Sequence, residues 1–322
     1  MSILSKPYFH DEAAAFAHVE AILWANGRVC PHCGTVDNSY PLKGVRSKPS
    51  VKSPEGVERH GLYKCGDCRK QFTVRKGTIF EESHLPMHKW LQAIYLMCAS
   101  KKGFSAHQMH RVLEVQYRTA WFLCHRIREA MRTGGELDIF GAGGGSVEVD
   151  ETYLGREPGT SKKRGYAHKM KVLALVDRDT GQARSMVIDQ VNKATIMPIL
   201  QANISKEARL ITDDAGVYLM PGLKFADHQS VNHSAGEYVR TGQPEIHTNT
   251  IEGYFSVFKR GMKGTYQHCG KQHLHRYLAE FDYRYNTRSA LGIEDGERAT
   301  VALRGVVGKR LTYRNADSQD QN

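Results

Sequence analysis

SVEVDETYLG, residues 146–155, alternates apolar and polar side chains with a period of two. Successive side chains of an extended chain point to opposite faces, so the pattern predicts a strand with Val147 and Val149 on one face and Glu148 and Asp150 on the other. Glu151 points away from Asp150. Two more strands follow, MKVLALVDR (170–178), a nearly continuous apolar run suited to the centre of a sheet, and QARSMVID (182–189). A helix, NKATIMPILQANI (192–204), a short strand, ARLITDD (208–214), and an extended piece around QSVNHS (229–234) come next. Three strands, a helix and a strand, closed by a further helix, predict a mixed α/β core.

The closing helix is read from HTNTIEGYFSVFKRG (247–261). Ile251, Phe255, Phe258 and Met262 fall on one stripe at helical spacing, which is the face packed on a core. Glu252 and Lys259, seven apart, stack two turns from each other at the margin of that stripe. Asp150, Asp213 and Glu252 therefore stand on a strand, at a strand end and on a packed helix. Carboxylates gathered in this way can hold two hard divalent cations, and such a pair serves in-line phosphodiester chemistry. Spacing alone leaves two choices open: Glu148 shares a strand face with Asp150 and could substitute for it, and Asp214 adjoins Asp213. His228, His233 and His247 lie in the same part of the chain and are read as hydrogen-bonding or phosphate-contacting groups, because hard ions prefer oxygen.

Upstream, DEAAAFAHVEAILWANG (11–27) reads as a helix ended by Asn26 and Gly27. CPHCG (30–34) and YKCGDCRKQFTVRKGTIF (63–80) supply two C-x-x-C pairs, Cys30 with Cys33 and Cys65 with Cys68. Two such pairs, the second followed by a strand-like run, suit four thiolates around one structural Zn²⁺. A redox reading would use one pair and leave the other idle. The 31 residues between the pairs include a basic insertion, KGVRSKPSVKSPEGVERHG (43–61). From 86 to 133 the chain reads as helical. Ser105 is placed as an N-cap, and Ala120, Leu123, Cys124, Ile127 and Met131 form one apolar stripe. Arg118, Arg126, Arg128 and Arg132 lie elsewhere around that helix, which fits a helix-turn-helix that contacts DNA. Cys98 and Cys124 are read as core residues. GGELDIFGAGGGS (134–146) reads as a flexible break and NADSQDQN (315–322) as a disordered tail.

The 322 residues carry 45 Lys and Arg against 34 Asp and Glu, a formal net charge of +11. That excess points to a polyanionic partner, nucleic acid before membrane. The opening residues lack a secretory pattern and no apolar run is long enough for a bilayer, so a cytoplasmic, nucleoid-associated protein is expected. KKRGYAHKMK (162–171) places five Lys or Arg between the first two strands of the core. Lys162, Lys163, Arg164 and Lys169 could there follow a phosphate backbone.

VEVDETYLG, ITDD, VNHSAGEYV and HTNTIEGYFSVFKRGMKGTYQH, with HLHRYLAEFDYRYNTR after them, resemble the catalytic domain of the IS1595 family of transposases, the ISXO2-like domain. The two cysteine-bearing segments are similar to that family's zinc ribbon. The resemblance runs in order from about residue 10 to about 290, and it implies an RNase H-like core with a DDE acidic triad and a downstream lysine. Residue by residue these are Asp150, Asp213, Glu252 and Lys259. Members of the family can carry Asn as the third acid, whereas this chain has Glu252. The implied cofactors are two Mg²⁺ (or Mn²⁺) at the acids and one Zn²⁺. The implied activity is cleavage and strand transfer of double-stranded DNA at the element's terminal repeats, by a homodimer or higher oligomer on DNA. Arg260 joins Lys259 as an expected DNA contact. The expected divisions are 1–82 (first helix and ribbon), 83–135 (helix-turn-helix-like segment), 145–305 (catalytic domain) and 306–322 (tail). Two rivals are a non-catalytic DNA-binding regulator and an RNase H-like nuclease that does not join strands.

Overall fold

The computed structural model describes residues 2–51, 53–132, 138–157, 159–162 and 165–312. The chain divides into two units, 1–100 with 104–131 and 295–322, and 101–103 with 132–294. The ribbon and the helical segment, drawn apart at residue 82 from the sequence, thus share the first unit. The second unit takes in residues before the expected boundary at 145 and stops short of the one at 305.

In the first unit, α1 (Glu12–Leu23) begins where the Asp11 carboxylate accepts from Ala14 N at 2.7 Å, and it ends three residues before the expected Asn26. Strands β1 (Ser39–Pro41), β2 (Tyr63–Cys65) and β3 (Gln71–Phe72) form an antiparallel sheet in that order. The strand expected to run to residue 80 stops at Phe72, because the chain beyond it turns and Arg75 satisfies the carbonyls of Ser83 and Leu85. The insertion at 43–61 folds back on itself, with Ser47 N donating to Val57 O and Arg59 N to Val45 O, both at 2.8 Å. Helices α2 (Met87–Ala99), α3 (Ala106–Leu113) and α4 (Tyr117–Met131) follow. Ser105 caps α3 in a reciprocal capping box with Gln108, and Glu114 in the left-handed region turns the chain into α4.

The second unit is built on five strands, β4 (Ser146–Leu154), β5 (Met170–Asp177), β6 (Ala183–Ile188), β7 (Arg209–Asp213) and β8 (Asp227–Val231). Their spatial order is β6-β5-β4-β7-β8. The pairs β4–β5 and β5–β6 are antiparallel, whereas β4–β7 and β7–β8 are parallel. A mixed five-stranded sheet in this order, covered by helices, is the RNase H-like core. Between β6 and β7 runs α5 (Lys193–Asn203), and between β7 and β8 the single turn α6 (Leu219–Gly222). Ile196 and Leu200 of α5 pack with Val147, Val149, Leu173 and Leu175 on one face of the sheet. A small hairpin, β9 (Val239–Arg240) with β10 (Gln243–His247), was not foreseen; it leads into α7 (Asn249–Gly261). Ile251, Phe255, Phe258 and Met262, the predicted stripe, pack with Val172, Ala174 and Val176 on the other face, joined by α8 (Lys271–Asn286). Gly261 lets α7 approach α8, since a Cβ there would lie 2.4 Å from the Phe281 ring. Part of the expected flexible break is core: Phe140 is buried, its N–H donates to Asn203 O at 2.9 Å, and Gly141 N donates to Asp177. Residues 134–137 of that break, and the tail from 313, lie outside the described residues. The last helix, α9 (Asp295–Arg304), belongs to the first unit, where Arg298 donates to Cys98 O at 2.9 Å.

Candidate active site and metal centre

Four sulfurs converge in the ribbon. Cys30 Sγ lies 3.7 Å from Cys68 Sγ, and Cys33 Sγ lies 3.6 Å from Cys65 Sγ. A disulfide would need about 2.0 Å, whereas the edge of a tetrahedron with Zn–S bonds of about 2.3 Å is about 3.8 Å. All four ligand atoms lie within 4.8 Å of one another, and no other group of three or more potential ligands does so among the described residues. Trp24, Tyr63 and Phe72 wall the cluster, and the Arg28 guanidinium stacks 3.8 Å above the Tyr63 ring. The Thr35 hydroxyl and backbone hold the Cys33 thiol down at about 6, so a thiolate is on hand at neutral pH. The donor set fits one structural zinc ion. His32 is no ligand here: its Nε2 sits 3.3 Å from Gln71 O.

The second site forms where β4 and β7 run side by side. Glu148 is in register with Ile211, and two residues further along both parallel strands come Asp150 and Asp213, on the same face. This register brings Asp150 level with Asp213 and leaves Glu148 two residues back along β4. Asp214, one residue on, is exposed and accepts from Asn232 Nδ2 at 3.0 Å. Burial, then the charges of Glu151 and Asp213, push the Asp150 carboxyl up to about 8, against a hydrogen bond from Glu151 N and the Lys259 ammonium. Burial likewise raises Asp213, opposed by a bond from Ala215 N and by His233. Glu151 is raised by burial too, with the Asp213 charge adding and the Tyr218 hydroxyl bonded to it opposing. Glu151 lies on the opposite face of β4 from Asp150, as the alternation predicts, in register with Leu173; that its charge still reaches Asp150 was not read from the sequence.

Glu252 occupies the first turn of α7, where its side chain is 45% exposed. Its Oε1 accepts from Thr248 Oγ1 at 3.2 Å and stands 3.4 Å from His233 Nε2. Because the Thr248 proton is committed to Glu252, its oxygen accepts from His233 Nε2–H at 3.0 Å. His233 therefore connects Glu252 to the surroundings of Asp213, while Lys259, two turns along α7, opposes the charge of Asp150. Asp150, Asp213, Lys259 and His233 interact here, and Glu252 joins them through its contact with His233. The three carboxylates do not gather within ligand distance of one another as the four sulfurs do. Oxygen donors of this kind suit Mg²⁺ or Mn²⁺, whose charge would offset what keeps Asp150 protonated.

The basic residues separate into two classes. Lys162, Arg118, Lys259 and Arg260 are exposed, and Lys169 is half-buried with its ammonium 4.9 Å from the Tyr166 ring centre. Arg118 stands on the wall of a groove of about 620 Å³ lined also by Trp90 and Phe122. Lys163 and Arg164 lie outside the described residues. Arg126 and Arg128 correct the reading of α4 as an outward basic helix, being only 5% and 2% exposed. Arg126 donates to Glu81 O at 2.6 Å and to Leu311 O at 3.2 Å, so the part of α4 that carries it is covered by the rest of its unit. His228 bonds Thr212 Oγ1 at 3.0 Å, and His247 Nδ1, which accepts from Arg178, lies 3.5 Å from Glu148 Oε1.

Residues 143–286 match the ISXO2-like transposase domain, and residues 10–71 match the transposase zinc-ribbon domain. Over 300 residues the chain is 27% identical to an uncharacterized protein in transposable element ISH50 of Halobacterium salinarum, covering 86% of this chain and 91% of that one. Among solved structures, one of a simian T-cell lymphotropic virus intasome in complex with PP2A regulatory subunit B56 gamma aligns at 11% identity. It covers 54% of this chain and 67% of that one at a TM-score of 0.28. No helix among the described residues is long and apolar enough to cross a membrane.

Proposed function

Because the chain belongs to the IS1595 family of transposases, we propose that it binds the terminal repeats of its own insertion sequence and carries out metal-dependent strand cleavage and strand transfer. The observation that carries this reading is the pairing of Asp150 and Asp213 on neighbouring parallel strands, with the carboxyl of Asp150 raised to about 8. Buried like-charged carboxyls are costly in a purely structural role and are useful where cations are to be held. Asp150, Asp213 and Glu252 would hold two Mg²⁺ or Mn²⁺. Bound there, the ions would activate a water or a 3′-hydroxyl and offset the charge on the leaving oxygen. Lys259 steadies a phosphate beside Asp150, and His233 through Thr248 keeps the Glu252 carboxylate turned to the site.

The ribbon, with its single zinc ion, and the helical segment supply the DNA-binding surface, and Arg118, Lys162, Lys169 and Arg260 contact phosphates without reading bases. Two DNA ends must be brought together for transposition, so the working form is a homodimer or higher oligomer on DNA. The protein acts on the chromosome, in the cytoplasm. A strand-transfer assay tests the proposal: purified protein with Mg²⁺ or Mn²⁺, labelled DNA carrying the element's ends, and Asp150→Asn and Glu252→Gln as controls. Joined products from wild type alone are expected. Cleavage without joining would make the protein a nuclease, and binding without cleavage, unchanged in both variants, would make it a regulator.

A further inference from the structure

Glu148 is a carboxylate with no exposed surface, two residues from Asp150 on the same strand face and in register with Val176 and Ile211. A buried charge in such surroundings is expensive unless every oxygen is satisfied. Both are. Oε1 accepts from Arg178 Nε at 2.6 Å, and Oε2 accepts from Ile251 N at 2.8 Å. With its oxygens taken by protein donors, Glu148 is not left over for a cation, which closes the alternative that spacing left open.

Ile251 is the third residue of α7, and its N–H is one that a helix cannot satisfy internally. The residue placed to satisfy it is the N-cap, Thr248, a good capping type. Thr248 makes no capping bond. Its hydroxyl is turned instead to Glu252 and His233. The cap has thus been transferred to a side chain 103 residues away in sequence. The same arginine that holds Glu148 also fastens the approach to the helix: Arg178 donates to His247 O at 2.6 Å, to His247 Nδ1 at 2.9 Å and to Glu245 O. His247 Nδ1 accepts from Asn249 N as well, at 3.2 Å. Since Arg and a backbone N–H only donate, the ring proton sits on Nε2.

We infer that Glu148 is a positioning residue. By capping α7 in place of Thr248, it frees the threonine hydroxyl to orient Glu252, and through Arg178 it ties the start of α7 to the strand that carries Asp150. This rests on the proposed role of Glu252 as a site acid. The distance of Glu252 from Asp150 is then set by one buried ion pair and not by the packing of the apolar stripe alone.

The test uses the full-length protein as wild type, Glu148→Gln, Glu148→Ala, Thr248→Ala and the Glu148→Ala/Thr248→Ala pair. Amide hydrogen exchange at Ile251 reads the cap, and Mg²⁺-dependent cleavage of DNA bearing the element's ends reads the positioning. Glu148→Ala should speed exchange at Ile251 by about tenfold or more, and slow cleavage at saturating DNA by about 100-fold with DNA affinity nearly unchanged. Gln keeps an acceptor oxygen and should restore most of both. Thr248→Ala should slow cleavage without loosening Ile251, and the paired variant should fall no further than Glu148→Ala, whose loosened first turn no longer holds Thr248 against Glu252. Unchanged exchange in Glu148→Ala, loosened Ile251 in Thr248→Ala, additive losses in the pair, or parallel loss of affinity and rate would each overturn the inference. If Glu148→Ala does not fold, Glu148→Gln and Thr248→Ala still decide it. Wild type that leaves DNA uncut would refute the functional reading, and the exchange arms would still judge the cap.

Discussion

Replacing Asp150 with asparagine should stabilise the unit that carries it while abolishing its chemistry. The carboxyl is held at about 8, mainly by burial, against an ordinary 3.8. Between those two values the folded chain keeps a proton that the unfolded chain has released. Stability owed to this group is therefore greatest below about pH 4, falls as pH rises, and levels off above about pH 8. The full displacement corresponds to a ceiling of about 6 kcal/mol for carrying the ionised group in the fold. Part of it is shared with Glu151 and Asp213, and an asparagine amide is itself costly to bury, so about 2–3 kcal/mol at pH 8 is the expected gain. At about 2–4 °C per kcal/mol for a unit of this size, Tm should rise by roughly 5–10 °C. The assay is scanning calorimetry of wild type and Asp150→Asn from pH 4 to pH 9, with and without Mg²⁺. The difference curve matters, because Asp282, raised to about 7 by burial against the hydrogen bonds from Tyr254 and Ser185, contributes the same slope to both proteins. Mg²⁺ should lift the wild-type Tm at pH 8 and leave the variant unmoved. An Asp150→Asn protein no more stable than wild type at pH 8, or one whose advantage grows toward pH 4, would refute the argument.

Zinc removal by a strong chelator should release one ion per chain and loosen β1 to β3, and Cys65→Ser should lose the ion, as elemental analysis and hydrogen exchange would show. Arg126→Ala should destabilise its unit by about 2–4 kcal/mol in denaturant titrations, since it orphans the buried Glu81 carbonyl and the half-buried Leu311 carbonyl, with no change in the salt dependence of DNA binding. Lys162→Ala and Lys169→Ala should do the reverse, each lowering the slope of log affinity against log salt by about one with little change in stability. Phe258→Ala, which empties the centre of the packing between α7 and α8, should cost about 3–5 kcal/mol.

What could be read from the sequence was what local periodicity and spacing encode. The alternation in β4, the apolar run in β5, the stripe of α7 and the paired cysteines each announce their burial or ligand role without reference to anything distant, because the period of a strand or helix fixes which side chains share a face. The resemblance to a known family then named the acids. Tertiary structure decided the matters that depend on a partner far along the chain. The parallel register of β4 with β7 brought Asp150, and not Glu148, beside Asp213, and not Asp214. Helical periodicity gave Arg126 and Arg128 polar positions on α4, but other parts of their unit cover those positions. Glu148 looks in sequence like a second ligand, and only the arrival of Ile251 N and Arg178 makes it a cap. Backbone hydrogen bonds must be satisfied wherever the chain happens to end a helix, and the group that satisfies one is chosen by proximity in the fold, a quantity that no local pattern contains.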